Sequence, residues 1–164
     1  MSEPTVRRYD HEADWAGLWA LKTAFERELG GADETKAERY EAKLTEEYRA
    51  GYRGWVGDCV AREPDCIAVV EAEDGLVGYV FVLPAAFAYV WDAAVLNELF
   101  LDPAHRGSGL ADDLLDRAVA HARGQDLPLD RLVLDVDPTN GRAARLYERY
   151  GFEPWAEMVA YDLD

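Results

Sequence analysis

The sequence predicts an α/β fold in which helices flank a mixed, mostly antiparallel sheet. Three observations predict it: helical patterns come first, a β-hairpin follows, and strands then alternate with helices to the end of the chain. The length of 164 residues suits one ordinary domain with its own buried core. We therefore expect a single domain over residues 1–164.

The helical patterns follow a short opening strand around residues 5–9. Apolar residues recur three or four positions apart from about Asp14 to Leu29, and the glycines at 30 and 31 end that helix. A second helical stretch begins near residues 33–35 and, after the glycines at 51 and 54, resumes up to Arg62. The apolar face of the first helix should pack against the rest of the domain.

Strand patterns then replace the helical period. Residues 66–71 and 77–83 are predicted as strands joined by a turn at residues 73–75, which is a hairpin pattern. A third strand runs from about Ala94 to Leu101. The remaining predicted elements are a helix, a strand, a helix and a final strand over about residues 108–123, 132–136, 141–149 and 155–161.

The charge balance is strongly acidic. The 33 Asp and Glu residues outnumber 17 Lys and Arg residues, which gives a formal net charge of -16. Nucleic acids and anionic membranes need a basic face on their partner, so we expect neither. Dispersed acid with Lys22, Lys36 and Lys43 as the only lysines is typical of a halophilic protein in a salt-rich cytoplasm. The alternative is an ordinary soluble acidic protein.

The number of cysteines and the apolar content of the chain exclude further classes of protein. Cys59 and Cys66 cannot build a disulfide scaffold or a four-cysteine zinc site, so we expect two small buried residues. Residues 1–4 have no basic start or apolar run, and no stretch reaches the roughly 18 apolar residues of a membrane span. We expect a cytoplasmic protein without a metal site, and a homodimer stays open.

The most informative segment runs from Asn97 to Ala111, where an apolar strand passes through a turn into a glycine-bearing helix start. The first N–H groups of a helix have no internal partner, so such a start attracts anions, and Arg106 adds a bidentate donor. A P-loop needs Gly-Lys-Ser/Thr, and a dinucleotide fingerprint needs a small residue where Asp112 stands, so neither fits. A plain helix start with two flexible glycines stays open.

The segment resembles motif A of the GCN5-related N-acetyltransferase (GNAT) family, Arg/Gln-x-x-Gly-x-Gly/Ala, through Arg106, Gly109 and Ala111. Residues 140–152 resemble a second family pattern, Asn-x-x-Ala-x-x-Leu-Tyr-x-x-x-Gly-Phe. The order and spacing of both motifs agree with the family over roughly residues 76–152. The resemblance implies the acyl-CoA N-acyltransferase fold, with splayed central strands, and acetyl-CoA as cosubstrate.

The resemblance also implies a role for each matched position. The amides of the motif A loop would hold the CoA pyrophosphate, the strand before it would pair with the pantetheine arm, and Asn140 would lie near that arm. The loop residues are Arg106, Gly107, Ser108, Gly109, Leu110 and Ala111, and the strand residues are Leu99, Phe100 and Leu101.

Two residues are candidates for proton transfer. Tyr147 would lie near the sulfur of CoA. A phenol with a pKa of about 10 can donate a hydrogen bond or proton to the departing thiolate, whose thiol has a pKa of about 8.5. The alternative is a core tyrosine. Glu98 stands where some family members carry an acid and could take the proton of the amine; the alternative is a solvated or structurally paired carboxylate. Strand alternation puts Glu98 and Phe100 on one face and Leu99 and Leu101 on the other.

The acceptor pocket is expected between the early helices and a loop with Phe87, Tyr89 and Trp91, because an acidic, aromatic rim suits a cationic amine. The alternative is that the early carboxylates, Glu26, Glu28, Asp33 and Glu34, are only part of the overall acidity. The predicted function is transfer of acetyl from acetyl-CoA to a primary amine, on a small molecule or a protein N-terminus, by direct attack in a ternary complex. The alternatives are a non-catalytic acyl-CoA-binding or sensing module on the same fold, and a salt-tolerant interaction domain without a cofactor.

The net charge of -16 predicts that salt stabilises the protein. Like charges destabilise the compact state, and salt screens them within roughly 10 Å at about 0.1 M. Thermal melts should therefore show a higher Tm at molar KCl than at low salt. A flat or falling Tm would mean that the acidity serves another purpose.

Overall fold

The computed structural model describes residues 3–164, in which helices cover both faces of one sheet. Met1 and Ser2, part of the N-terminal stretch considered above, lie outside the described residues. The helices are α1 (His11–Gly30), α2 (Glu34–Ala42), α3 (Glu46–Arg62), α4 (Leu110–Arg123) and α5 (Gly141–Tyr150). The strands are β1 (Thr5–Arg8), β2 (Ile67–Ala72), β3 (Gly75–Val82), β4 (Ala94–Leu101) and β5 (Leu132–Val133). Of the helices in this range, none is long and apolar enough to cross a membrane.

The sheet follows the order of the chain, β1-β2-β3-β4-β5. The first four strands pair antiparallel, and β5 pairs parallel to β4 because α4 lies between them in the chain. The predicted hairpin is confirmed as β2 and β3, with Ala72 opposite Gly75. The mixed, mostly antiparallel sheet is likewise confirmed.

Alternate strand residues build two separate cores, one on each face of the sheet. α1 and α3 cover one core and α4 covers the other. The strand residues of the first core include Ile67, Val69, Tyr79, Phe81 and Phe100, and those of the second include Val70, Val80, Val82 and Leu101. Cys59 and Cys66 are buried in the first core and unpaired, as predicted.

β4 carries a bulge at Asn97. Phe81 pairs with Glu98 whereas Val82 pairs with Leu96, so Asn97 is an extra residue in β4. The bulge restarts the alternation, which puts Leu96 in the second core while Glu98 lies on the face of the first. The predicted alternation over residues 98–101 is confirmed.

β4 and β5 separate soon after they meet. They pair at two positions, Ala94 with Leu132 and Val95 with Val133. Over residues 96–101 the other edge of β4 has no strand partner among the described residues. The splayed central strands are therefore present, and they leave main-chain donors and acceptors of β4 free.

Side-chain caps decide where the early helices begin. The carboxylate of Asp10 accepts from two N–H groups of the first turn, so α1 begins at His11 rather than near Asp14. The Thr45 hydroxyl caps α3 by accepting from Tyr48 N, and its extended backbone divides the second predicted helical stretch into α2 and α3. The predicted break at the glycines 51 and 54 is wrong, because both lie inside α3.

The predicted final strand over residues 155–161 is wrong. Residues 151–164 contain no helix or strand, and Val159 and Tyr161 are 85% and 89% exposed. A strand needs a neighbour whose main-chain groups pair with its own, and β5 covers Leu132–Val133 instead of residues 132–136. Apolar alternation in the sequence cannot supply that neighbour.

Gly78 lets β3 approach β4 closely. A Cβ there would lie 2.8 Å from Leu101 Cδ1 and 3.0 Å from the Phe100 carbonyl oxygen. We predict that Gly78→Ala lowers the free energy of unfolding by about 1–3 kcal/mol, measured by urea denaturation. Gly54→Ala is the control: nothing lies within 4 Å of its Cβ in the middle of α3, so it should be neutral or stabilising. Unchanged stability of Gly78→Ala would contradict the close approach.

Candidate functional site

The loop between β4 and α4 has an open surface of main chain. Gly107 and Gly109 adopt left-handed backbone with φ of 80° and 88°. Apart from chain neighbours, no described atom lies within 4 Å of a Cβ placed at either glycine. α4 begins at Leu110 rather than at the predicted Ser108, because Gly109 takes the cap position in a conformation that favours glycine.

The N–H groups of this loop are without acceptors. Within residues 3–164, no acceptor pairs with the main-chain N–H groups of residues 107–112, and the first bond into α4 runs from Asp113 N to Gly109 O at 3.1 Å. Such groups carry the positive end of the helix dipole. With open space above them, they fit a phosphate group approaching the loop.

The side chains of the loop are engaged in contacts within the protein. The Arg106 guanidinium donates to the Leu101 carbonyl at 2.9 Å and to Glu28 at 2.7 Å. The Ser108 hydroxyl donates to the main chain at 2.5 Å, and Leu110 is buried in the second core. In this conformation the free donors are therefore the amides, with the guanidinium held by a carboxylate.

α5 presents the residues of the second motif. Asn140 caps the helix, accepting from Ala143 N at 3.2 Å. Tyr147 is partly buried against the second core, with its ring edge-on to Phe152 at 5.6 Å. Among the described residues its hydroxyl has no hydrogen-bond partner, and burial raises its pKa to about 12. Tyr147 is thus a protonated donor at neutral pH.

A cavity of about 550 Å³ lies between α1, α3 and β4, beside the point where β4 and β5 separate. Its wall combines aromatic rings with charged groups. The polar and aromatic lining residues are Lys22, Phe25, Glu26, Lys43, Tyr48, Tyr52, Trp55, Asn97, Glu98 and Asp135. Size and lining suit a small molecule that carries charge.

Glu98 sits in the wall of this cavity with both oxygens engaged. It is 5% exposed, and Lys22 Nζ donates to Oε2 at 2.7 Å. The hydroxyls of Tyr52 and Tyr79 donate to Oε1 at 2.6 and 2.9 Å, and the Asn97 amide donates to Oε2 at 3.2 Å. Burial and the charge of Glu98 raise the pKa of both phenols well above its usual value. Both oxygens of the carboxylate are therefore occupied by protein donors.

Lys22 links two carboxylates. Besides Glu98 it donates to Glu26 at 2.5 Å, and Lys43 reaches the other oxygen of Glu26 at 2.8 Å. Burial opposes the charge of Lys22, but the two carboxylates outweigh it and raise its pKa above its ordinary value. The buried charges of the cavity wall thus form one connected network.

The loop expected to complete the acceptor pocket lies elsewhere. Phe87 packs at the edge of the first core, and Tyr89 and Trp91 are 62% and 47% exposed, with none of the three in the cavity wall. Of the early carboxylates, Glu26 lines the cavity, whereas Glu28 pairs with arginines. The rim of the cavity is aromatic and acidic, and its rings come from α1 and α3.

Sequence reasoning missed Lys22, Tyr52 and Asp135 as site residues. Lys22 falls on the apolar face of the α1 pattern, and a lysine there indicates a buried anionic partner. Tyr52 and Asp135 carry no comparable signal. Only the packing of α3 and the separation of β4 from β5 bring them to the cavity.

Known proteins share this sequence pattern. A sequence profile of the acetyltransferase (GNAT) family matches residues 20–152. The chain is 35% identical over 94 residues to a mycothiol acetyltransferase from Thermobispora bispora, covering 57% of this chain and 26% of that protein. The corresponding protein from Kineococcus radiotolerans is 37% identical over 102 residues, covering 60% and 30%. The chain spans less than a third of the length of these relatives.

The fold matches a solved GCN5-related N-acetyltransferase from Ralstonia eutropha with a TM-score of 0.70 and 20% identity, covering 99% of this chain and 100% of that one. Because the family profile spans most of its length, the chain belongs to the GNAT acetyltransferase family. The predicted family and fold are therefore confirmed.

Gly109→Glu should abolish acetyl-CoA binding, because it places a carboxylate where a phosphate would approach the free amides. Calorimetric titration measures the loss. Gly109→Gln is the matched control: it has the same size and the same left-handed strain without the charge, so binding should weaken less. Wild-type affinity in a folded Gly109→Glu variant would show that the phosphates bind elsewhere.

Proposed function

We propose that this chain transfers the acetyl group of acetyl-CoA to a primary amine by direct attack within a ternary complex. One observation carries the proposal: the free amides of residues 107–112, the unpaired edge of β4 and the cavity beside it all meet around one strand. Both substrates can then reach the same strand, and no covalent acyl-enzyme is required.

The donor site is proposed along β4 and the loop after it. The amides from Arg106 to Ala111 would hold the pyrophosphate of acetyl-CoA. The main chain of Leu99 to Leu101 would pair with the pantetheine arm in the manner of an added strand, and Asn140 would lie beside it. The free edge of β4 and the unpartnered amides of residues 107–111 support these assignments, whereas the Arg106 amide donates to the Pro103 carbonyl at 3.3 Å.

Tyr147 is proposed as the general acid. Its hydroxyl has no protein partner within the described residues, so it is available to the departing thiolate. With its pKa raised to about 12, the phenol stays protonated and stabilises the thiolate chiefly by donating a hydrogen bond.

Glu98 stays a proposed base, acting through a water, because it lines the cavity. Its contacts weigh against that role. Both of its oxygens already accept hydrogen bonds from an ammonium and two phenols, so a water would have to displace one of these donors to reach the carboxylate. If Glu98 were the base, the defect of Glu98→Gln would shrink as the pH rises and more of the amine is already neutral.

The acceptor is proposed to be a primary amine on a small molecule or at a protein N-terminus. The rings of Tyr48, Tyr52 and Trp55 suit a cationic amine, and the cavity volume suits a small molecule. The relatives named as mycothiol acetyltransferases match over less than a third of their length, so their substrate is not carried over.

The use of lysine supports a separate proposal, that the protein works in a salt-rich cytoplasm. Each lysine of the chain is committed to an ion pair. The pairs are Lys22 with Glu98, Lys36 with Asp137, and Lys43 with Glu26. The wider acidic surface has no lysine left to neutralise it, which fits a protein that relies on salt for screening.

The proposed function is tested with acetyl-CoA and a panel of amines: 2-phenylethylamine, spermidine, glucosamine and a tetrapeptide with a free N-terminus. Released CoA is measured as free thiol and the acetylated amine by mass spectrometry, at low and at molar KCl. Amine-dependent thiol release supports the transferase. Tight acetyl-CoA binding without turnover of any amine would instead support an acyl-CoA-binding module.

Tyr147→Phe should lower kcat by about 10- to 1,000-fold while the affinity for acetyl-CoA changes little, because the ring still packs but the donor is lost. Tyr150→Phe is the control on the same helix, since its hydroxyl donates to Asp116 at 2.7 Å on the exposed side. It should keep wild-type kcat. A wild-type kcat in Tyr147→Phe, with chemistry limiting the rate, would exclude the acid role.

A further inference from the structure

We infer that Asp135 binds the ammonium group of the acceptor and takes its proton. The inference rests on the proposed function and names a residue for it that no sequence motif marks. Asp135 lies two residues beyond Val133, where β5 and its pairing with β4 both end, and it lines the cavity. It is exposed, so it can exchange a proton with water.

The charged groups of the cavity wall have one negative charge in excess. Two lysines, Lys22 and Lys43, stand against three carboxylates, Glu26, Glu98 and Asp135. Both lysines pair with Glu26, and Lys22 also pairs with Glu98. A single ammonium group bound in the cavity would neutralise the excess negative charge.

Asp135 is the carboxylate that lacks a cation. Within the described part of the chain, no Lys, Arg or His lies within ion-pair distance of it and no donor is hydrogen-bonded to it, whereas Glu98 accepts from four groups. The oxygens of Asp135 are therefore free to accept hydrogen bonds from an incoming ammonium group, whereas those of Glu98 are already occupied. Geometry therefore favours Asp135 over Glu98 as the proton acceptor.

Asp135 also lies near the proposed acid. Burial is the main reason that the pKa of Tyr147 is raised to about 12; Arg142 lowers it and the negative charge of Asp135 raises it further. The negative charge of Asp135 is therefore close enough to interact electrostatically with the Tyr147 hydroxyl. The proposed base thus lies in the cavity wall, and the proposed acid lies near it but outside the set of residues that line the cavity.

The proton balance of the reaction is complete with these two residues. The ammonium gives one proton to Asp135, which passes it to water, and the neutral nitrogen attacks the thioester carbonyl. The C–N bond forms, the C–S bond breaks, and the thiolate takes a proton from Tyr147. Tyr147 regains a proton from the acylated nitrogen, so the products are the amide, CoA and one released proton.

The test compares Asp135→Asn with Asp130→Asn, which removes the same charge at an exposed position outside the cavity. Both are assayed with 2-phenylethylamine, spermidine and glucosamine from about pH 6 to about pH 10, with acetyl-CoA affinity measured by calorimetry. The pH profile also reports the other ionisable groups that face the site, so Glu98→Gln is assayed alongside. Those groups are Lys22, Glu26, Lys43, Tyr48, Tyr52, Glu98 and Tyr147.

We expect Asp135→Asn to lose about 100-fold or more of kcat/KM at neutral pH, and to recover as the pH nears the amine pKa of about 10. Asp130→Asn should match the wild type, and acetyl-CoA affinity should be unchanged in both. If the wild type turns over an amine and Asp135→Asn does so equally well, or its defect does not vary with pH, the inference is wrong while the proposed function stands. If the wild type acetylates none of the amines, the proposed function fails and the inference with it.

Discussion

The buried ion pair between Lys22 and Glu98 is the contact on which the arrangement of the site depends. It joins α1 to β4, and the hydroxyls of Tyr52 and Tyr79 bring α3 and β3 to the same carboxylate. Taking two charges out of water is costly, and losing one partner would leave the other uncompensated at a cost of about 3–5 kcal/mol. The network therefore holds the helices in one position over the sheet.

β4 connects this network to the donor side of the molecule. The bulge at Asn97 turns Glu98 toward the helices, and the early separation from β5 leaves the following main chain unpaired. A regular strand paired along both edges would have neither a free edge nor a cavity at its side. The irregularity of one strand thus creates both halves of the proposed site.

A second ion-pair cluster ties the early helices to the proposed donor site. Glu28, near the end of α1, accepts from Arg106 of the loop and from Arg142 of α5. The starts of α4 and α5 are thereby fastened to α1. Because Glu28 holds the Arg106 guanidinium, we expect an anion at the loop to bind mainly to the main-chain amides. These amides can bind it without any side-chain rearrangement.

The sequence by itself determined the element order, the hairpin, the limits of β4, the alternation over residues 98–101 and the family, because these depend on local periodicity, turn residues and short motifs. It mistook residues 155–161 for a strand, since a strand exists only where another offers its main-chain groups. Only the tertiary structure decided the partners of Glu98 and the place of Asp135. The partners of Glu98 and the position of Asp135 depend on contacts between residues far apart in the chain, and local sequence patterns do not encode such contacts.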